Sequence, residues 1–164
     1  MARKPVVGVV GTGKDGGSAV QMARQLGELI AAEGWVVLSG GRNAGVMKAV
    51  SEGAKAKGGL TVGLLPDKSS TVAPEVDVAI FTDMNNARNN LIGLSSNVVV
   101  ACGLDGPGTA SEVALALKNG KKVILLGADA TAQAFFKSMR RDSVFVADTP
   151  QKAIQIIKDN RLCG

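Results

Sequence analysis

The sequence predicts an α/β fold, a three-layer, doubly wound open sheet of about seven mostly parallel strands, and three observations predict it. Short apolar, β-branched runs recur along the chain, stretches of helical period separate them, and glycine-rich turns follow several of the runs. A length of 164 residues allows one domain with a real core, so residues 1–164 are read as a single unit.

The expected strands are residues 5–10, 35–39, 60–65, 76–81, 97–101, 122–126 and 143–146. Most are apolar on both faces, as strands covered by helices on each side must be. After the first strand, Ala19, Met22, Ala23, Leu26, Leu29 and Ile30 repeat at helical spacing, and after the second, Val46, Val50 and Ala54 do so. A further helix begins at Asn85, after the strand ending near Phe81, with Ala87, Leu91 and Leu94 as its expected buried stripe and Arg88 beside it. Ala110, Val113, Ala114 and Leu117 mark the helix after the fifth strand. Thr149 as N-cap, Pro150 at the first helical position, and Ala153, Ile156 and Ile157 on one face give a closing helix. Continuous alternation of this kind implies parallel strands joined by right-handed crossovers, with ligands bound beyond the carboxyl ends of the strands.

Composition removes several chemistries. The chain has no His and no Tyr, which excludes a His general base, a Ser-His-Asp triad and His-ligated metal, and no metal ligands are expected. Its two cysteines, Cys102 and Cys163, are too few for a disulfide framework and point to a reducing compartment, the cytoplasm by default. Cys102 reads as small-residue packing, and Cys163 as part of a frayed end without function. The apolar run after Pro5 is about six residues long, too short for a leader or a membrane span. The net charge of +5 is scattered and aromatics are only 3%, which argues against nucleic acid and for attraction of small anions.

Three turns carry the chemistry. The first, Gly11-Thr12-Gly13-Lys14-Asp15-Gly16-Gly17-Ser18, has the G-x-G-x-x-G spacing that exposes backbone amides to a phosphate at a helix N-terminus. An NAD site also wants an acid at the end of the second strand, where this chain has Ser39-Gly40-Gly41-Arg42; only NADP, through Arg42, survives that comparison. The second turn runs from Ser39 through Gly40, Gly41, Arg42, Asn43 and Gly45, adjacent glycines allowing close backbone approach and Arg42 and Asn43 adding donors for anionic oxygens. The third, from Gly103 to Glu112, contains Gly106, Gly108 and Thr109; Thr109 either caps the following helix, with Glu112 completing a capping box, or binds phosphate through its hydroxyl. No Lys-Ser or Lys-Thr follows a G-x-x-x-x-G, so none of these is a Walker A loop. Each turn alone also fits a plain tight turn, and Arg88 alone fits a surface ion pair. Together at one sheet edge, the turns make a donor-rich cradle that Arg88 can close by clamping phosphate bidentately.

The succession Gly40-Gly41-x-x-x-Gly45-Val46-Met47, Ala87-Arg88-Asn89 and Gly106-x-Gly108-Thr109-x-x-Glu112 resembles the LOG superfamily over nearly the whole chain. Within it, the likeness is to the branch of molybdenum cofactor carrier-like proteins. The resemblance implies a Rossmann-like domain, a phosphate-bearing small molecule as partner, and a homo-oligomer, a dimer or higher. It implies a binding protein for a phosphorylated nucleotide or pterin-type ligand, with a bound molybdenum cofactor or nucleotide and no cofactor required. The alternative it carries is a nucleoside 5′-monophosphate phosphoribohydrolase cleaving the N-glycosidic bond, with Arg88 and Glu112 catalytic. Gly11, Thr12, Gly13, Lys14, Ser39, Gly40, Gly41, Arg42, Asn43, Gly45, Asn89, Gly106, Gly108 and Thr109 form the expected ligand-binding set. Two departures from the hydrolase pattern stand out: Asn89 replaces the lysine after the arginine, and Leu104-Asp105 replaces Pro-Gly. Asp105 brings negative charge toward the cradle, to be offset by Lys14 or Arg42.

Overall fold

A computed structural model describes residues 3–164. Seven strands form one sheet: β1 (Val6–Gly11), β2 (Val36–Ser39), β3 (Thr61–Leu65), β4 (Val78–Phe81), β5 (Val98–Cys102), β6 (Lys122–Leu126) and β7 (Val144–Ala147). Their order is β4-β3-β2-β1-β5-β6-β7, and every neighbouring pair is parallel rather than only most of them. The order reverses direction between β1 and β5. Gly11 lies opposite Cys102 in that register, so the turns after these two strands emerge side by side.

The helices are α1 (Ser18–Ala32), α2 (Gly45–Ala56), α3 (Asn89–Ser95), α4 (Pro107–Lys118), α5 (Ala130–Arg140) and α6 (Pro150–Asp159). One core, built around Val9, Leu26, Ile30, Val50, Val100, Ile124 and Ile157, joins α1, α2 and α6 to one sheet face. A second, around Ile92, Val99, Val113, Leu117, Leu125 and Phe136, joins α3, α4 and α5 to the other. Burying such side chains contributes roughly 1.5–3 kcal/mol each, which the polar, glycine-rich turns do not supply for themselves. The sheet therefore holds the turns in place.

Several local expectations need correction. The segment after β4 begins with a 3₁₀ turn, Asn85–Arg88, before α3, and its buried residues are Arg88, Ile92 and Gly93. Ala87 and Leu94 face solvent and Leu91 is half-buried, so the apolar stripe is displaced by one residue toward the arginine. In α4, Ala116 is buried and Ala114 exposed. The helix α5 has no counterpart among the apolar repeats of the sequence because only Phe136 on it is buried; its start is marked instead by Asp129, whose carboxylate accepts from the Ala132 N–H at 2.8 Å. Thr149 does cap α6, accepting from the Lys152 N–H at 3.2 Å. The chain end is not frayed: Cys163 is buried and Leu162 packs on the first core. Burial pushes the Cys163 thiol up to about 11 and that of Cys102 up to about 12.

Candidate functional site

At the reversal point, a cleft of about 340 Å³ opens beyond the strand ends. Gly11, Thr12, Gly13 and Lys14 line it from the turn after β1, Arg42 from the turn after β2, and Arg88 and Asn89 from the segment after β4. Gly106, Gly108, Thr109 and Glu112 line it from the start of α4. Four separate connections thus converge, as expected for a doubly wound sheet.

The start of α4 lies three residues earlier than a threonine cap requires. Gly106 is the N-cap, Pro107 opens the helix, and no side chain among the described residues caps it, so the capping-box reading of Thr109 and Glu112 is wrong. Thr109 sits inside the first turn, buried, with Gly106 and Gly108 beside it on the cleft wall. The uncapped first turn leaves amide donors and the positive end of the helix dipole at the cleft wall. The start of α2 is different: the Gly45 N–H donates to Asp15 Oδ1 at 2.8 Å, and the Val46 N–H to the Thr12 carbonyl at 2.9 Å. Those donors are spent on fastening the first turn to α2.

Arg88 dominates the electrostatics. It is 8% exposed, and its Nε and Nη1 are buried with no hydrogen-bond partner among the described residues. Glu112 lines the same cleft but makes no ion pair with it within 4.0 Å among those residues. Burial lowers the Arg88 pKa from its usual value, the Glu112 charge opposing this and Arg42 adding to it. Burial likewise pushes the Glu112 carboxyl up to about 7, against the pull of Arg88. Lys14, Arg42 and Arg88 therefore face Asp105 and a carboxyl that is largely protonated below neutrality, leaving the cleft cationic.

Five of the expected ligand contacts are not on this wall. Ser39 is buried, its Oγ accepting from the Gly41 N–H at 3.1 Å. Gly40 lies beneath Arg88, where a Cβ would stand 2.8 Å from Nη1; Gly41 packs on Gly63; and Gly45 is bound to Asp15. Asn43 lines a neighbouring depression instead. These residues build the site from behind because the second turn folds under the arginine, leaving only the Arg42 side chain to reach the cleft. Asn89 is on the wall, yet its Nδ2 donates to Ser111 Oγ at 3.3 Å, and that hydroxyl donates to the Gly108 carbonyl at 2.7 Å. Sequence reasoning did not place Met47, Asn86 and Pro107 on the cleft. Met47 stands beside Val46 in the quoted motif and Asn86 two residues before Arg88, but nothing local shows which way either faces.

Fold and site together define a doubly wound α/β protein with a cationic, amide-lined cleft at its topological reversal. A profile of the SLOG cluster4 family matches residues 4–154, and the chain belongs to that family, on the molybdenum-cofactor-carrier-like branch of the LOG superfamily. The structure of the molybdenum cofactor binding protein from the phototrophic bacterium Rippkaea orientalis is similar to it at 50% identity and a TM-score of 0.93, over 98% of this chain and 99% of that one. The Moco carrier protein from Chlamydomonas reinhardtii follows the same fold at 47% identity and a TM-score of 0.90, over 96% and 97%. An uncharacterized protein of Archaeoglobus fulgidus is 40% identical over 148 residues, covering 90% of this chain and 91% of its own.

Proposed function

We propose that this chain is a carrier that binds a phosphorylated small molecule of the pterin or nucleotide type, the molybdenum cofactor foremost, at the Arg88 cleft. One observation carries the reading: a buried guanidinium whose Nε and Nη1 have no partner among the described residues, lining a cationic cleft. A buried charge without a partner is costly, and an anion with oxygens spaced for a forked donor offsets that cost. The uncapped start of α4 supplies backbone donors on the adjacent wall, and Thr12, Lys14 and Thr109 supply side-chain donors. The likeness to cofactor-binding carriers supports the same ligand class. Calorimetric titration with inorganic phosphate and phosphorylated ligands tests the reading: binding lost on Arg88→Met is expected, and binding indifferent to that change overturns it.

A second reading rests on Glu112. A carboxyl raised to about 7 beside an arginine can orient water or exchange a proton while a nucleoside 5′-monophosphate loses its base. Asn89, bonded to Ser111 where the hydrolase pattern has a lysine, supplies no charge for that step. Liberation of free base from AMP, abolished by Glu112→Gln, is the result that favours it over the carrier.

No helix among the described residues is long and apolar enough to cross a membrane. The two free cysteines, Cys102 and Cys163, support a reducing compartment, and the cytoplasm is the location we propose. We also propose self-association. The edge strand β4 exposes Val78, Ile80 and Phe81 by 45–49%, and Met84 and Leu94 in the following segment are 44% and 49% exposed. An apolar, unprotected sheet edge of this kind is covered in soluble proteins, and a second copy of the chain is the cover the family resemblance implies.

A further inference from the structure

Arg42 and Asn86 line two cavities at once, the Arg88 cleft and a depression of about 590 Å³ beside it, so the two adjoin. The second depression is walled by polar side chains, among them Asn43, Asp67, Ser69 and Asn85. Its wall is strapped together by the backbone. Arg42 forms an isolated antiparallel bridge with Val72, the Asn43 N–H donates to the Thr71 carbonyl at 3.0 Å, and the Asn85 N–H donates to the Pro66 carbonyl at 3.1 Å. Loops tied in this way present their side chains without a large ordering cost.

Asp67 gives the depression its chemical character. Its Oδ1 accepts from the Ser69 N–H at 2.8 Å, from Ser69 Oγ at 2.6 Å and from Ser70 Oγ at 3.3 Å. These bonds, that from the Ser69 hydroxyl first, hold its carboxyl below the usual carboxylate range, so it is charged at neutral pH. Oδ2 accepts no hydrogen bond among the described residues. A fixed carboxylate with one free oxygen, flanked by asparagine amides, suits a ring edge with adjacent N–H donors next to a carbonyl.

We infer that this second depression receives the 2-amino-4-oxopyrimidine edge that guanine and pterins share, with Asp67 accepting from its ring N–H and amino group and Asn43 and Asn85 supplying donors for its carbonyl. The inference rests on the proposal that the phosphate of the same ligand sits at Arg88. Adenine is disfavoured here because its corresponding ring nitrogen is an acceptor, which a carboxylate repels. Hypoxanthine keeps the ring N–H and loses only the amino group.

Titration calorimetry of the full chain with inorganic phosphate, GMP, IMP, AMP and neopterin monophosphate tests this. GMP is expected to bind on the order of tenfold more tightly than AMP, with IMP between them. Asp67→Asn keeps the Oδ1 acceptor that the Ser69 turn needs, and should bring the GMP-to-AMP ratio to about one. Neopterin monophosphate binding more tightly than GMP assigns the depression to a pterin, and the reverse order to a guanine nucleotide. Equal affinity for GMP and AMP, both lost in Arg88→Met, overturns the inference and leaves the phosphate site standing. Binding unaffected by Arg88→Met, or no binding of any of the five, overturns the phosphate site and this inference with it.

Discussion

The guanidinium of Arg88 rests on the bare Cα of Gly40. A Cβ built on Gly40 would lie 2.8 Å from Arg88 Nη1, 3.1 Å from Nη2 and 2.6 Å from Met47 Sδ. The glycine of the second turn is thus explained by the arginine that arrives from the segment after β4, not by direct contact with a ligand.

Gly40→Ala follows from that geometry. The crowded atoms are the ends of two flexible side chains, so they can move aside and stability should fall by less than about 1 kcal/mol. The guanidinium that moves is the proposed phosphate clamp, and phosphate affinity should drop roughly tenfold or more. Chemical denaturation and calorimetry on the same variant measure the two effects; an affinity equal to that of the native chain would contradict the placement of Arg88.

Arg88→Met should stabilise the empty protein. The native residue buries two unpartnered donors and a charge, and an apolar side chain of similar length removes that penalty, worth about 1–3 kcal/mol. For a chain of this size the melting temperature would rise by about 2–12 °C. Phosphate should then raise the melting temperature of the native chain but not of the variant. A melting temperature lowered by the change would mean that Arg88 has a structural partner.

Glu112 predicts a pH dependence with a definite sign. Its carboxyl is raised by burial from 4.5 to about 7 in the folded chain, so between these values the folded state holds a proton that the unfolded state has lost. Stability from this group is fully present below about pH 4.5, declines as pH rises to about 7, and is flat beyond. The loss amounts to about 3–4 kcal/mol. Glu112→Gln should remove this slope from a melting-temperature series taken between pH 5 and 8. An unchanged slope would place the Glu112 carboxyl in ordinary solvent.

The exposed β4 edge predicts the assembly. Sedimentation velocity should show the native chain as a dimer or larger and Phe81→Asp shifted toward monomer, because a charge at a buried apolar contact is left without a partner. A native chain that sediments as a monomer at micromolar concentration would remove the self-association proposal.

Much of this architecture is local information. The apolar runs at residues 5–10 and 122–126 read as strands because a parallel sheet covered on both faces needs apolar residues without alternation. Thr149-Pro150 announces α6 because a cap and its helix lie within a few residues of each other. The weak helix α5 was hidden because one buried phenylalanine makes no period. Thr109 was ambiguous because capping and ligand binding ask for the same hydroxyl, and only the position of the first helical turn separates them.

By itself the sequence determined the alternating elements and the glycine turns at the strand ends, since each depends on neighbours along the chain, whereas Arg88 and Glu112 are paired only by the resemblance to the LOG superfamily. Only the tertiary structure decided which turn residues face the cleft, that Gly40 carries the arginine while Gly45 is tied to Asp15, and that Arg88 is buried without a partner among the described residues. The physical reason is the strand order. Setting β1 beside β5 brings Gly11 level with Cys102, distant in the chain, and the cleft exists only where their turns meet.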